Sequence, residues 1–502
     1  MLHPHPIFFC FSNASFGVWS RTMILFQGVY MKKALFWLVA CSMVLAGVRG
    51  YAEGHRFNRQ FDPVVLQGTT IAPFIGQNIQ NFRLYKVVRE KGKHGPPRES
   101  LQSTPFQPIP FQPIPFQPIP FQIDERDEYG DWIFNFDKHG NPVPLKRTSL
   151  SPQDELVFMA KDAGEKANTD QLNLPGAGVM EIELTDPLNN AHAYVYLMSY
   201  KDNPPPLSPV RYVQYDPRDD RVTAQLYVMA FSKKAPLSYD YYAVPKSAGG
   251  EGINIFDGFK MRLDINTVLF NIHRDEDDFK SRLVGYIQGP VRVIRQVANS
   301  MDIMLGIQSP SVLSDSAYYY DFFQFPTVVD IPIDLQRLYV VKKARLVTTT
   351  DFNHNALGME FYNSNNPGGL KITGMMSKAQ EELNRSPYDW AVVSGPQGAW
   401  MNRVVMGKDV PFTKGLYFVD DKSKPDPPEN EPGQIGSTGY DFGNLMKARK
   451  GTYTFTSYIY VPVGYKPGQE KPWLNIIDHP VTHVVYYNNQ RVEPVKFTFK
   501  KH

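Results

Sequence analysis

The sequence predicts an all-β fold built as two antiparallel β-sandwich domains. Three observations point there. Short segments in which apolar and polar residues alternate recur along the chain, the period of a half-buried strand. Turn clusters separate them, and proline alone accounts for 42 of 502 residues. Helical patterning is scarce; its best stretch, Ser377–Leu383, is about two turns long. Many short strands joined by Pro/Gly-rich turns are the pattern of packed antiparallel sheets.

The chain restarts at Met31, where it reads MKKALFWLVACSMVLAGVRGYAEG. Two lysines, an apolar run and small residues ending at Ala52 make a secretory signal peptide over residues 31–52. Residues 1–30 then read as an upstream extension. A rival processing site is Leu38-Val39-Ala40-Cys41, which has the form of a lipoprotein acylation site and would anchor the chain at Cys41. Export to the periplasm or the extracellular space is the expectation. Both cysteines, Cys10 and Cys41, lie ahead of Ala52, so a mature chain cut there has neither thiol nor disulfide. Cysteine nucleophiles, thiolate zinc sites and CxxCH haem attachment are thereby excluded, and no cofactor is expected. Removing Arg21, Lys32, Lys33 and Arg49 from 53 basic residues leaves 49 against 50 acidic ones. Such a near-neutral chain offers no nucleic-acid surface. No later run is long enough for a membrane-spanning helix.

The first domain is expected over 53–203. It contains a PFQPI repeat at 105–123, whose prolines favour an extended, polyproline-like strip. Trp132–Phe136, Asp154–Ala160, Met180–Leu184 and His192–Leu197 read as strands. Pro204–Pro209 reads as a linker. The larger domain, 210–502, carries strand patterns at Arg221–Phe231, Gly258–Leu269, Val291–Val297, Tyr318–Ile331, Leu338–Thr349, Asp389–Val393 and Thr452–Val461. The last, TYTFTSYIYV, alternates almost perfectly.

Gln288-Gly289-Pro290-Val291-Arg292-Val293-Ile294-Arg295 resembles a strand entry in supersandwich domains of the galactose-mutarotase-like type, as in exo-rhamnogalacturonan-lyase-like and related secreted bacterial families. Pro120–Asp124 and Asp389–Gly398 are compatible with the same resemblance. It implies a supersandwich-like second domain and a carbohydrate-associated scaffold, and it carries no catalytic residue over to a numbered position.

Candidate site residues follow from chemistry. Tyr318, Tyr320, Trp390 and Trp400 are candidate sugar-stacking rings, because flat apolar faces suit pyranose rings. His354, in a polar loop, is a candidate general acid/base, and Arg292 a candidate cation for a developing charge. Asp124, Asp127 and Asp131 are weak calcium candidates, lying around Gly130 but interrupted by Arg126. The run His273–Asp278 lacks the glycine of a calcium loop and reads as a solvated acidic loop. His479 and His483 have helical zinc-ligand spacing, which Pro480 breaks. The sequence therefore favours an exported, non-catalytic glycan-binding protein. A polysaccharide lyase or hydrolase-like enzyme and a structural or assembly component of the envelope are the alternatives.

Overall fold

The computed structural model describes residues 56–88, 116–144, 147–168, 177–304, 307–308, 311–331, 334, 341–423 and 434–500. The expected signal peptide, both cysteines and the repeat up to residue 115 lie outside the described residues. The all-β expectation holds: the strands form five sheets, antiparallel throughout among the described residues. Residues 57–502 constitute one compact unit.

The largest sheet has eleven strands and includes Val293–Met304, Val312–Tyr318, Phe322–Ile331, Gly451–Tyr460, Gly398–Met406 and Trp390–Gly395. Alternation in these strands predicts one buried and one solvated face. Instead both faces are buried through the middle of the sheet. Val293, Tyr318, Phe323, Val393 and Ile459 enter one core, while their neighbours Ile294, Tyr319, Phe322, Val392 and Tyr460 enter another. Period 2 therefore separates two cores here rather than core from water.

The first core is closed by a five-stranded sheet that includes Phe256–Thr267, Val341–Asn353 and Gln434–Gly443, and by a four-stranded sheet over Val213–Ala243. The second is closed by the three-stranded sheet Pro63–Gln67, Glu155–Met159 and Gln122–Asp124, together with the helix Lys471–Asp478 through Trp473 and Ile476. Glu155–Met159 is buried at all five positions because Val157 and Met159 face the large sheet while Leu156 and Phe158 face the other way. Behind it lies a third core against the six-stranded sheet, which supplies Met180, Ile182, Leu184, Val195 and Leu197.

Residues 204–209 have no regular secondary structure, and strand pairing crosses them in both directions. Phe136–Asp137 pairs with Phe279–Gln288 at the edge of the large sheet. Thr482–Tyr487 returns to pair with Ala177–Asp186 in the six-stranded sheet. The expected single strand Arg221–Phe231 is a hairpin, Arg221–Ala224 turning back into Val228–Phe231, and the expected Tyr318–Ile331 starts at the turn that joins Val312–Tyr318 to Phe322–Ile331. The short helix is present at Lys378–Glu381, with a capping box between Ser377 and Gln380.

If Glu155–Met159 supports the cores on both its sides, Phe158→Ala should cost about 3–5 kcal/mol in urea unfolding. Leu188→Ala, at a half-exposed position, should cost within about 0.5 kcal/mol. Equal effects of the two would contradict the layered arrangement.

Candidate functional site

Arg292 is a buried cross-link. Its Nε donates to Asp124 Oδ2 at 2.7 Å, its Nη2 to Glu155 Oε2 at 2.5 Å and its Nη1 to the Tyr319 hydroxyl at 3.1 Å. The backbone amides of Val291 and Arg292 donate to Gln122 Oε1, and Gln122 Nε2 donates to both oxygens of Asp124. The guanidinium thus fastens the three-stranded sheet to the large sheet and is not open to a substrate. Burial alone would push the Glu155 carboxyl up; Arg292 and Arg126 outweigh it and hold it below the usual carboxylate range.

The calcium candidates are engaged elsewhere. Asp124 belongs to this cross-link, and Asp127 caps its own turn by accepting from the amides of Tyr129 and Asp131. Among the described residues no three His, Cys, Asp or Glu side chains gather as metal ligands. His479 ends the helix Lys471–Asp478 while His483 lies in the strand Thr482–Tyr487, so no single helix face holds both.

The stacking candidates are corrected by burial: Tyr318, Tyr320, Trp390 and Trp400 are all at most 8% exposed, and none offers an open ring face. Alternation could not reveal this, since both faces of their sheet are covered. His354 is exposed at the start of a one-turn helix capped by Asn353. Among the described residues no hydrogen bond joins it to Arg292 or to any group Arg292 holds. The two candidate catalytic residues do not make a constellation.

Near Tyr320, the Lys161 ammonium sits 3.5 Å from the Tyr320 ring centroid and 4.2 Å from that of Tyr212. Asp321 beside it is fully buried, and neither carboxyl oxygen has a hydrogen-bond partner among the described residues. Burial pushes its pKa well above the usual range, against the pull of Lys161.

What the fold does build is a slot between the five-stranded sheet and the large sheet, with a cavity volume of about 510 Å³. On one wall Phe259, Met261, Leu263 and Ile265 point inward at every second position. On the paired strand Ala344, Leu346, Thr348 and Thr350 do the same. Phe259 is opposite Thr350 and Ile265 opposite Ala344, so the slot follows about six residues of strand, roughly 20 Å. The room arises because Ser314, Thr327 and Ser457 on the far wall, and Ala344 and Thr348 on the near one, are small where close packing calls for larger residues.

The slot is closed at one end and open at the other. Trp400, Ile459, Tyr239 and Thr350 close it and are buried. Val312 and Val328, which also line it, are 41% and 43% exposed. Its polar groups are hydroxyls and amides, several already paired: Tyr239 with Thr350 and Tyr440 with Asn402. The indole Nε1 of Trp400 and Oδ1 of Asn299 have no hydrogen-bond partner. Among the described residues no carboxylate, imidazole, ammonium or guanidinium lines it. Strand patterning marked Gly258–Leu269 and Leu338–Thr349 as strands, but not which side chains face the slot or that the space there is unfilled.

No family model and no curated protein matches the chain. Among solved structures, an alpha-mannosidase from Enterococcus faecalis V583 aligns with a TM-score of 0.36 at 11% identity. The alignment covers 64% of this chain and 42% of that one, so the chain spans under half of the mannosidase. It transfers no residue or activity to the slot.

Because the Asp321 pKa is raised in the fold, its contribution to stability is complete below about pH 4, the unfolded carboxylate value, and is lost as pH rises through the raised pKa. Asp321→Asn should therefore gain on the parent in melting temperature as pH is raised. A parallel pH dependence of the two proteins would show that folding leaves the Asp321 pKa unshifted.

Proposed function

We propose that this chain is an exported, non-catalytic binding protein that holds an elongated apolar molecule, such as a single acyl chain, between its five-stranded and eleven-stranded sheets. The slot supports this reading: its volume lies in the range of small-molecule sites, its walls are apolar with scattered hydroxyls, and it opens at one end. At about 24 cal/mol per Å³, an apolar occupant filling about 510 Å³ gains up to about 12 kcal/mol of packing. Several kcal/mol of association cost come off that figure. The length of roughly 20 Å compares with about 15 Å for the hydrocarbon of one bilayer leaflet.

Walls that among the described residues carry no carboxylate, imidazole, ammonium or guanidinium suit retention rather than reaction. The glycan reading requires aromatic faces open to a sugar, and its four candidate rings are buried. The lyase reading requires a base and a cation converging on one cleft, and Arg292 is held by Asp124, Glu155 and Tyr319.

The test is titration of delipidated protein with cis-parinaric acid, read by fluorescence, with soluble polysaccharides as competitors. Saturable binding displaced by fatty acids and indifferent to polysaccharide is expected. Ser457→Trp, which places an indole inside the slot, should weaken binding roughly tenfold or more while leaving the melting temperature unchanged or raised. Undiminished binding by this variant, or displacement by polysaccharide, would overturn the proposal.

A further inference from the structure

The open end of the slot carries an apolar tip set among cations. Strands Phe256–Thr267 and Asn271–Arg274 form a hairpin whose turn holds Val268, Leu269 and Phe270, exposed to 54%, 84% and 50%. Leu269 is the most exposed large hydrophobic residue among those described. The turn is tight: the Thr267 amide donates to the Phe270 carbonyl at 2.9 Å, and the Leu269 and Phe270 amides donate to the Thr267 hydroxyl. Backbone polar groups are thus satisfied locally while the side chains project outward.

Strand register places this tip at the mouth. Ile265, two residues before Thr267, lines the slot opposite Ala344. Lys342 and Lys343, just before Ala344, are exposed, and Lys343 pairs with Asn266 on the last rungs of the hairpin. Across the mouth Ile331, another lining residue, pairs with Gly451, directly after the exposed Arg449 and Lys450. None of these four cations has an ion-pair partner among the described residues. The carboxylates nearby are committed: Asp264 to His273, Asp302 to Lys280 and Asp441 to Arg345, while Asp334 accepts from the Lys450 amide. The acidic turn Glu276–Asp278 follows Arg274, which pairs with Leu263, three rungs back from the last pair of the hairpin.

From this arrangement we propose that the open end docks on an anionic lipid surface, Leu269 and Phe270 entering the interface while Lys342, Lys343, Arg449 and Lys450 contact headgroups. The proposal rests on the slot's apolar ligand: a molecule of that class resides in lipid, and docking mouth-first lets it pass between bilayer and slot without crossing water. An apolar tip combined with basic residues is the pair of signals that peripheral attachment needs.

Flotation with vesicles of phosphatidylethanolamine and phosphatidylglycerol tests it, with phosphatidylcholine vesicles as reference. The parent is expected to float with the anionic vesicles, less so as salt rises. The L269D/F270D variant should bind roughly tenfold less or weaker still, and K342E/K343E should lose the preference for anionic lipid. Both variants lie outside the slot and should keep their affinity for cis-parinaric acid in vesicle-free buffer. Retained acid binding with no flotation of the parent, or with flotation unchanged in L269D/F270D, would overturn docking while leaving the slot reading intact. Loss of acid binding by the parent would overturn the slot reading itself. Sedimentation velocity showing a parent dimer that L269D/F270D dissolves would assign the tip to a second copy and overturn membrane docking.

Discussion

Burial of the eleven-stranded sheet on both faces is the constraint from which the rest of the architecture follows. An antiparallel sheet ordinarily leaves one face to water. Here Tyr318 and Phe323 pack toward the five- and four-stranded sheets while Tyr319 and Phe322 pack toward the three-stranded one. Covering layers are needed on each side, and the chain supplies them from segments far apart in sequence. The short strand Glu155–Met159 has to be apolar from Leu156 to Met159 because those four residues lie between two such cores.

Where layers meet, polar groups that cannot reach water have to satisfy one another. Arg292 does this between the large sheet and the three-stranded sheet, holding Asp124, Glu155 and Tyr319 at once. Removing one partner of such a buried cluster would strand a charge, at about 3–5 kcal/mol. The residue in the most recognisable phrase of the sequence is thus a structural cross-link. A short motif at a strand entry marks an arginine that must be in place and does not say whether its partner is a substrate or another sheet.

Strand positions were largely legible. TYTFTSYIYV corresponds to Gly451–Tyr460, and the alternation in Met180–Leu184 and His192–Leu197 marks two strands that are longer in the fold, Ala177–Asp186 and Ala191–Tyr200. Trp132–Phe136 yields only Phe136–Asp137 as strand, because Trp132 is held by Arg126 stacked 3.3 Å from its ring centroid and by Asp315. The helix Lys471–Asp478 went unread; its eight residues bury only Trp473 and Ile476, too short a stripe to show a period. The site was much less visible. Which aromatics are exposed depends on what covers the second face, and the slot depends on small residues from four strands facing one another across a gap. Neither relation is local in sequence.

The return of Thr482–Tyr487 to pair with Ala177–Asp186 has a temporal consequence. The six-stranded sheet cannot be completed until nearly the whole polypeptide is available, because about three hundred residues separate the two partners. Closing so long a loop delays folding and keeps the partly synthesised chain open. A topology that joins partners so far apart makes Thr482–Tyr487 a late clasp on the earlier strands Ala177–Asp186 and Ala191–Tyr200.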